Sequence, residues 1–252
     1  MKIQKIIFLI LLPLTSWSQV IPYNQNQCNP QVAQVYQVFT TGKLQMSDGY
    51  SVVTFDVDEG IKFVQEYLTE IESDFNRAGD ITLLSRLDPL CVALYNDNKG
   101  ANALAIGEDH VLFGLNLIHD LQAEWKIDGI LGIKAILSHE YGHILQNRHH
   151  LNFNFPLQLY ATKRKELQAD CIAGVLLNYH IANYKVIVEA DKLMQMIGDH
   201  HGLGDHGMYP ERREALLNGM REAIKLMMKG KTRANLKSKD IIDACLAYYP
   251  TF

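Results

Sequence analysis

Three ionisable side chains stand inside an apolar helical pattern, and nothing else in this chain restricts its folding as much. The stretch Asp128–His150, DGILGIKAILSHEYGHILQNRHH, repeats apolar residues at Ile130, Ile133, Ile136, Leu137 and Ile144. That spacing predicts a buried helix with Asp128 as its N-cap. His139, Glu140 and His143 fall within it. Burying three such groups is costly unless they share a purpose. Residues four apart lie on one face of a helix, so His139 and His143 project side by side, as two ligands of one ion must. Glu140 is rotated by one residue and can flank a metal without binding it. That is where a general base for an activated water belongs. Gly142 keeps the neighbouring turn slim. The alternative is a pair of histidines on a helix surface, which the apolar flanks disfavour.

Two histidines are too few for a catalytic zinc, which takes three protein ligands and keeps a position open. His149 lies six residues past His143, but Gln146 stands where a turn glycine would be needed to swing it back. On a continuing helix it points away from the pair. The segment Lys165–Gly174, KELQADCIAG, is the better source. Glu166 and Asp170 are spaced four apart on a second helical pattern, so they too share a face. Glu166 completes a His2Glu set, and Asp170 can accept a hydrogen bond from the far nitrogen of a ligand histidine. Alone, such a carboxylate pair reads as a solvated face. After the first helix, it supplies the ligand that zinc otherwise lacks. One Zn2+ is the expected cofactor, with His139, His143 and Glu166 as ligands and Asp170 behind them.

The chain has 252 residues, 48% hydrophobic and 21% charged, which suits one well-buried domain over 19–252. A formal net charge of −4, with no basic run longer than TKRKE, argues against a nucleic-acid partner. Residues 1–18 read as a signal peptide: Lys2 and Lys5, the apolar run IIFLILLPL, then small residues in SWS. An uncleaved anchor is the alternative. Export to the periplasm or beyond follows, with no membrane span after signal removal. Export permits disulfides among Cys28, Cys91, Cys171 and Cys245, and spacing does not choose among the three connectivities. Cys171, inside an apolar helical pattern, also suits a plain buried small residue.

Along the rest of the chain, the Gln- and Asn-rich stretch from Val20 to Ser51 reads as an extended segment, weakly tied down. Helical spacing covers 58–75, ended by Gly79 and Asp80. ITLLS and CVALYN read as short strands, and 102–118 as two strands around the turn GEDH. Further helices are expected over 157–180, from Pro210, and in SKDIIDACLAYY, with a Gly- and His-rich loop at 198–207. The fold class is therefore α+β, mostly helical, with a small sheet beside the metal-binding helix.

SHEYGHILQ followed by KELQADCIAG resembles the paired motifs of gluzincin zinc metallopeptidases. The form HEYGH-Q with ELQADC-AG is most similar to the bacterial neutral zinc metallopeptidase family. The wider pattern resembles the HtpX-type and CAAX-prenyl-protease family, in which a strand segment N-A-x-A precedes the metal helix; Asn102, Ala103 and Ala105 match it. Both families carry a later His followed six residues on by Arg, and HGMYPERR supplies His206 and Arg212. Gly207 stands where the HtpX-type pattern often has proline. The resemblance runs from about Asn102 to Leu217. It implies a zincin-like fold. It also implies catalytic roles for His206, stabilising the charge of a tetrahedral intermediate, and for Arg212, holding His206 or a carboxylate in place. It further implies an extended substrate paired with a sheet edge, for which His110–Leu117 is the candidate. The expected activity is an exported zinc-dependent metalloendopeptidase acting on a peptide or protein substrate, with Glu140 as base. The alternative is a catalytically silent or latent zinc-bearing envelope protein that binds or chaperones others. An intact Glu140 counts against that, since binding alone has no need of a base.

Overall fold

Ile61, Val64, Tyr67, Leu68, Ile71 and Phe75 recur every three or four residues, and in the computed structural model of the chain they form the buried stripe of helix α1, Val57–Arg77. The structure describes residues 31, 34, 38–39, 43–47, 52–80, 90–95, 102–117, 121, 129–151, 158–181, 184–197 and 207–246. Residues 1–18, Cys28, the run ITLLS, Asp128, His206 and the rest of the loop at 198–206 lie outside them. Gly79 ends the turn after α1 at φ 64°, a left-handed conformation that costs glycine nothing.

The Gln- and Asn-rich stretch is not merely extended. It contributes β1 (Val38–Phe39), which pairs antiparallel with β4 (Cys91–Tyr95), and β2 (Lys43–Ser47), which pairs antiparallel with β3 (Val52–Asp56). These strands have two to five residues, too few for alternation to stand out from a polar background. β5 (Ala103–Ile106) and β6 (His110–Gly114) form the expected hairpin, with Leu104 opposite Leu112 and Gly107 at φ 61° in its turn. β4 and β6 run parallel, so the sheet order is β1-β4-β6-β5. Both central strands are buried throughout, as expected for strands covered on two faces.

Among the described residues, five longer helices follow: α2 (Gly129–Arg148), α3 (Gln158–His180), α4 (Tyr184–Ile197), α5 (Tyr209–Met228) and α6 (Ser238–Leu246). α4 was not anticipated; its buried face is Ala190, Leu193 and Met194. α5 starts where Pro210 predicts, and the Glu211 side chain accepts from the Met208 N–H at 3.0 Å to close its first turn. α2 lies in the middle, touching α1, α3, α4, β5 and β6. The described chain is thus mostly helical with a small mixed sheet beside α2, an α+β arrangement. Cys171 is more than a small buried residue. It is bonded to Cys245 and ties α6 to α3, while Cys91 is also disulfide-bonded. Among the described residues, no helix is long and apolar enough to cross a membrane.

Candidate metal centre

α2 and α3 meet at a small-residue contact. A Cβ on Gly142 would stand 3.1 Å from the Ala169 Cα and carbonyl oxygen, so any side chain there would press the helices apart. His139 and His143 flank Gly142 on α2, and Glu166 and Asp170 flank Ala169 on α3. The contact therefore brings the four polar side chains together. All four are at most 9% exposed, and Asp170 is fully buried. His139 Nε2 lies 3.2 Å from one Glu166 carboxylate oxygen, and His143 Nε2 lies 3.4 Å from the other. The ligand atoms of His139, His143 and Glu166 all fall within 4.8 Å of one another. Bonds of about 2.0–2.1 Å to a tetrahedral zinc place neighbouring ligand atoms about 3.3–3.4 Å apart. These residues form a buried group able to hold a metal ion.

The hydrogen bonds behind the histidines give the same picture. His139 Nδ1 is 2.8 Å from Asp170 Oδ1, and His143 Nδ1 is 2.8 Å from Gln146 Oε1. An ionised carboxylate and an amide oxygen only accept, so both rings carry a proton on Nδ1. Both Nε2 atoms are left facing Glu166. Two neutral rings would then aim lone pairs at an anion, an arrangement that calls for a cation between them. Without a metal, the proton on His139 serves. Burial opposes charging this ring, but Asp170 and Glu166 outweigh burial and hold its pKa up at about 10.

Asp170 is itself held from behind. The Arg212 guanidinium donates to both its oxygens, Nε to Oδ2 and Nη2 to Oδ1, each at 2.9 Å. Burial alone would raise the Asp170 pKa; Arg212 and His139 reverse that and keep it below the ordinary carboxylate value. Two glycines bring Arg212 within reach. A Cβ on Gly174 would fall 2.1 Å from the Leu216 carbonyl oxygen, and one on Gly219 would fall 1.9 Å from that of Cys171. α5 consequently rests on the α3 backbone, and Arg212, near its N-terminus, lies over Asp170.

Glu140 is 7% exposed and makes no hydrogen bond within the described residues, although its charge is felt at Arg212. His149 does not face the centre: its Nε2 is 2.8 Å from Ser238 Oγ, where it braces the start of α6. In the sequence Gln146 stands out only as a missing glycine, yet it is the partner of His143. Its position three residues after that histidine, on the same helical face, was the signal. Of the two roles open to Arg212, the one seen is on a carboxylate; His206 lies outside the described residues.

The expected substrate strand needs correction. β6, within His110–Leu117, is hydrogen-bonded on both sides, by β4 and β5, and has no edge to offer. Among the described residues, the edge beside α2 is β5. Gly114 N–H donates to the Asn102 carbonyl at 2.9 Å. Antiparallel alternation then turns Leu104 and Ile106 inward and leaves the backbone groups of Ala103 and Ala105 pointing outward. The Asn102 side chain takes the Ala103 N–H at 2.9 Å.

The chain matches no protein-family model, no curated protein and no solved structure.

Proposed function

We propose that this chain is an exported, zinc-dependent metalloendopeptidase with a zincin-like centre of the gluzincin kind. The observation that carries the reading is the convergence of two histidine Nε2 atoms, each with its proton held on Nδ1, upon the Glu166 carboxylate. His139, His143 and Glu166 hold the ion, and Asp170 with Arg212 keeps His139 oriented. When bound, zinc supplies Lewis acidity toward a carbonyl oxygen and lowers the pKa of water. Glu140 is the general base: it takes a proton from the attacking water and passes it to the leaving amine. A buried carboxylate with no hydrogen-bond partner among the described residues supports that role, because such a group is otherwise costly to keep. His206 is assigned to the charge of the tetrahedral intermediate, by the sequence resemblance alone. The substrate is a peptide or protein in extended form, added as a strand to β5 through the Ala103 carbonyl and the Ala105 N–H and carbonyl. Backbone pairing of that kind reads length and extension more than side chains.

The test is hydrolysis of a peptide pool by the chain lacking residues 1–18, compared with Glu140→Gln and read by mass spectrometry. Cleavage by the wild type alone, with zinc bound to both proteins, is the expected result. Hydrolysis that survives Glu140→Gln removes Glu140 as the base. Zinc bound to both with cleavage by neither makes the chain a latent or silent zinc-bearing envelope protein instead.

A further inference from the structure

On the reading that His139, His143 and Glu166 hold a metal ion, we infer that Gln146 is a positioning residue for that centre. It decides which nitrogen of His143 meets the metal and holds that ring to the turn of α3 that carries Glu166.

The two ligand histidines are backed by different chemistry. Behind His139 stands an anion already neutralised by Arg212. Behind His143 stands a neutral amide, and an amide can present either end. Turned the other way, Gln146 would aim an NH2 group at Nδ1. The ring proton would then move to Nε2, the atom needed for the metal. The amide nitrogen prevents this. Gln146 Nε2 donates to the Lys165 carbonyl at 2.8 Å and to Gln168 Oε1 at 3.1 Å. The Lys165 oxygen only accepts, so that end of the amide must be nitrogen. Among the described residues, Gln168 has no hydrogen-bond partner for its own buried nitrogen, so its orientation is set at its oxygen, by Gln146. Both glutamines are fully buried, and solvent does not compete.

Placement adds a second role. Lys165 and Gln168 lie on either side of Glu166. One amide on α2 therefore grips a ligand of its own helix at one end and the ligand turn of the facing helix at the other. A bridge two hydrogen bonds long thus links His143 to the turn of Glu166, whose carboxylate lies 3.4 Å from His143 Nε2.

The experiment compares the wild type, Gln146→Met and Gln146→Glu by zinc competition against a chromophoric chelator, with nitrogen NMR of the His143 ring. Thermal unfolding confirms that each variant is folded. Gln146→Met, similar in volume but without an acceptor, should bind zinc about ten- to a hundredfold more weakly. It should also lose the single Nδ1–H form of His143. Gln146→Glu keeps an acceptor for that proton but sets an oxygen against the Lys165 carbonyl, so it should keep the Nδ1–H tautomer of His143 without wild-type affinity. Wild-type affinity in Gln146→Met, or loss of the Nδ1–H form of His143 in Gln146→Glu, overturns the inference. Should Gln146→Met not fold, the zinc-loaded wild type decides: a proton on His143 Nδ1 with zinc on Nε2 upholds it, and the reverse overturns it. A wild type that binds no zinc overturns the metal reading and this inference together. A wild type that binds zinc no better than Gln146→Met overturns this inference alone.

Discussion

At Asp170 one carboxylate oxygen accepts both the His139 Nδ1–H and an Arg212 N–H, while the other takes the second arm of the guanidinium. Such a carboxylate is ionised at any working pH, so His139 gives up a proton only when a cation replaces it. With its pKa held at about 10 in the metal-free chain, His139 is protonated at neutral pH. Zinc binding at about pH 7.5 should therefore release about one proton per ion from this residue. Calorimetry in buffers of different ionisation enthalpy measures that number, and a value near zero would show that His139 is already neutral. The histidines and Glu166 were legible in sequence because four-residue spacing is a statement about one helix face. Gln146 and the partner of Arg212 were not. A glutamine carries no chemistry of its own to announce it. Arg212 meets Asp170 across 42 residues of chain, and no local pattern records that meeting.

At the scale of elements, the centre depends on how closely α3 is approached from two sides. α2 comes near at Gly142, and α5 nearer still at Gly174 and Gly219. Gly219→Ala would drive a methyl group into the Cys171 carbonyl, a backbone atom that cannot step aside. Such overpacking typically costs about 1–3 kcal/mol, and it should push α5 outward and draw Arg212 away from Asp170. Denaturant unfolding should show the loss of stability and chelator competition a weaker zinc site. A variant with intact stability and affinity would mean that α5 can shift without consequence. Helices with long apolar stripes, such as α1, were readable from periodicity. α4 and the three N-terminal strands were missed: Ile187 and Val188 of α4 face outward and blur its apolar stripe, and each strand takes its meaning from a neighbour. The glycines were visible as letters, but only Gly142 sat inside a motif that suggested why it was there.

Across the whole molecule, a covalent tie joins α6 to α3, and ionic ties join the segment before α6 to α1. The Cys171–Cys245 bond closes 74 residues of chain; spacing alone could not choose that pairing, because all three connectivities were open to four cysteines. Arg233, just before α6, donates to Asp74 at 2.6 Å and Glu70 at 2.5 Å on α1, beside His180 at the end of α3. Burial and the nearby Arg233 push the His180 imidazole down to about 4, against the smaller pull of Asp74 and Glu70. The folded chain thus binds fewer protons here than the unfolded one between about pH 6.5 and 4. Stability should be complete above that window and fall as pH drops through it. Urea midpoints across this range should decline less in His180→Gln than in the wild type. Equal declines would assign the acid sensitivity to other groups.

The burial of the Arg212–Asp170 fork has one more consequence, which concerns dissolved ions. Surface pairs such as Lys239–Asp243, with side chains more than half exposed, weaken as ionic strength rises because counterions enter between them. Arg212 and Asp170 are 3% and 0% exposed, and no counterion can reach them. The contacts of Asp170 with Arg212 and His139 should accordingly hold from low salt to about 1 M sodium chloride, where the Debye length is about 3 Å; nitrogen NMR of the Arg212 and His139 side chains checks this, and a salt-dependent shift would mean that counterions reach the fork. The orientation of His139 would then be indifferent to the salinity of the surrounding medium.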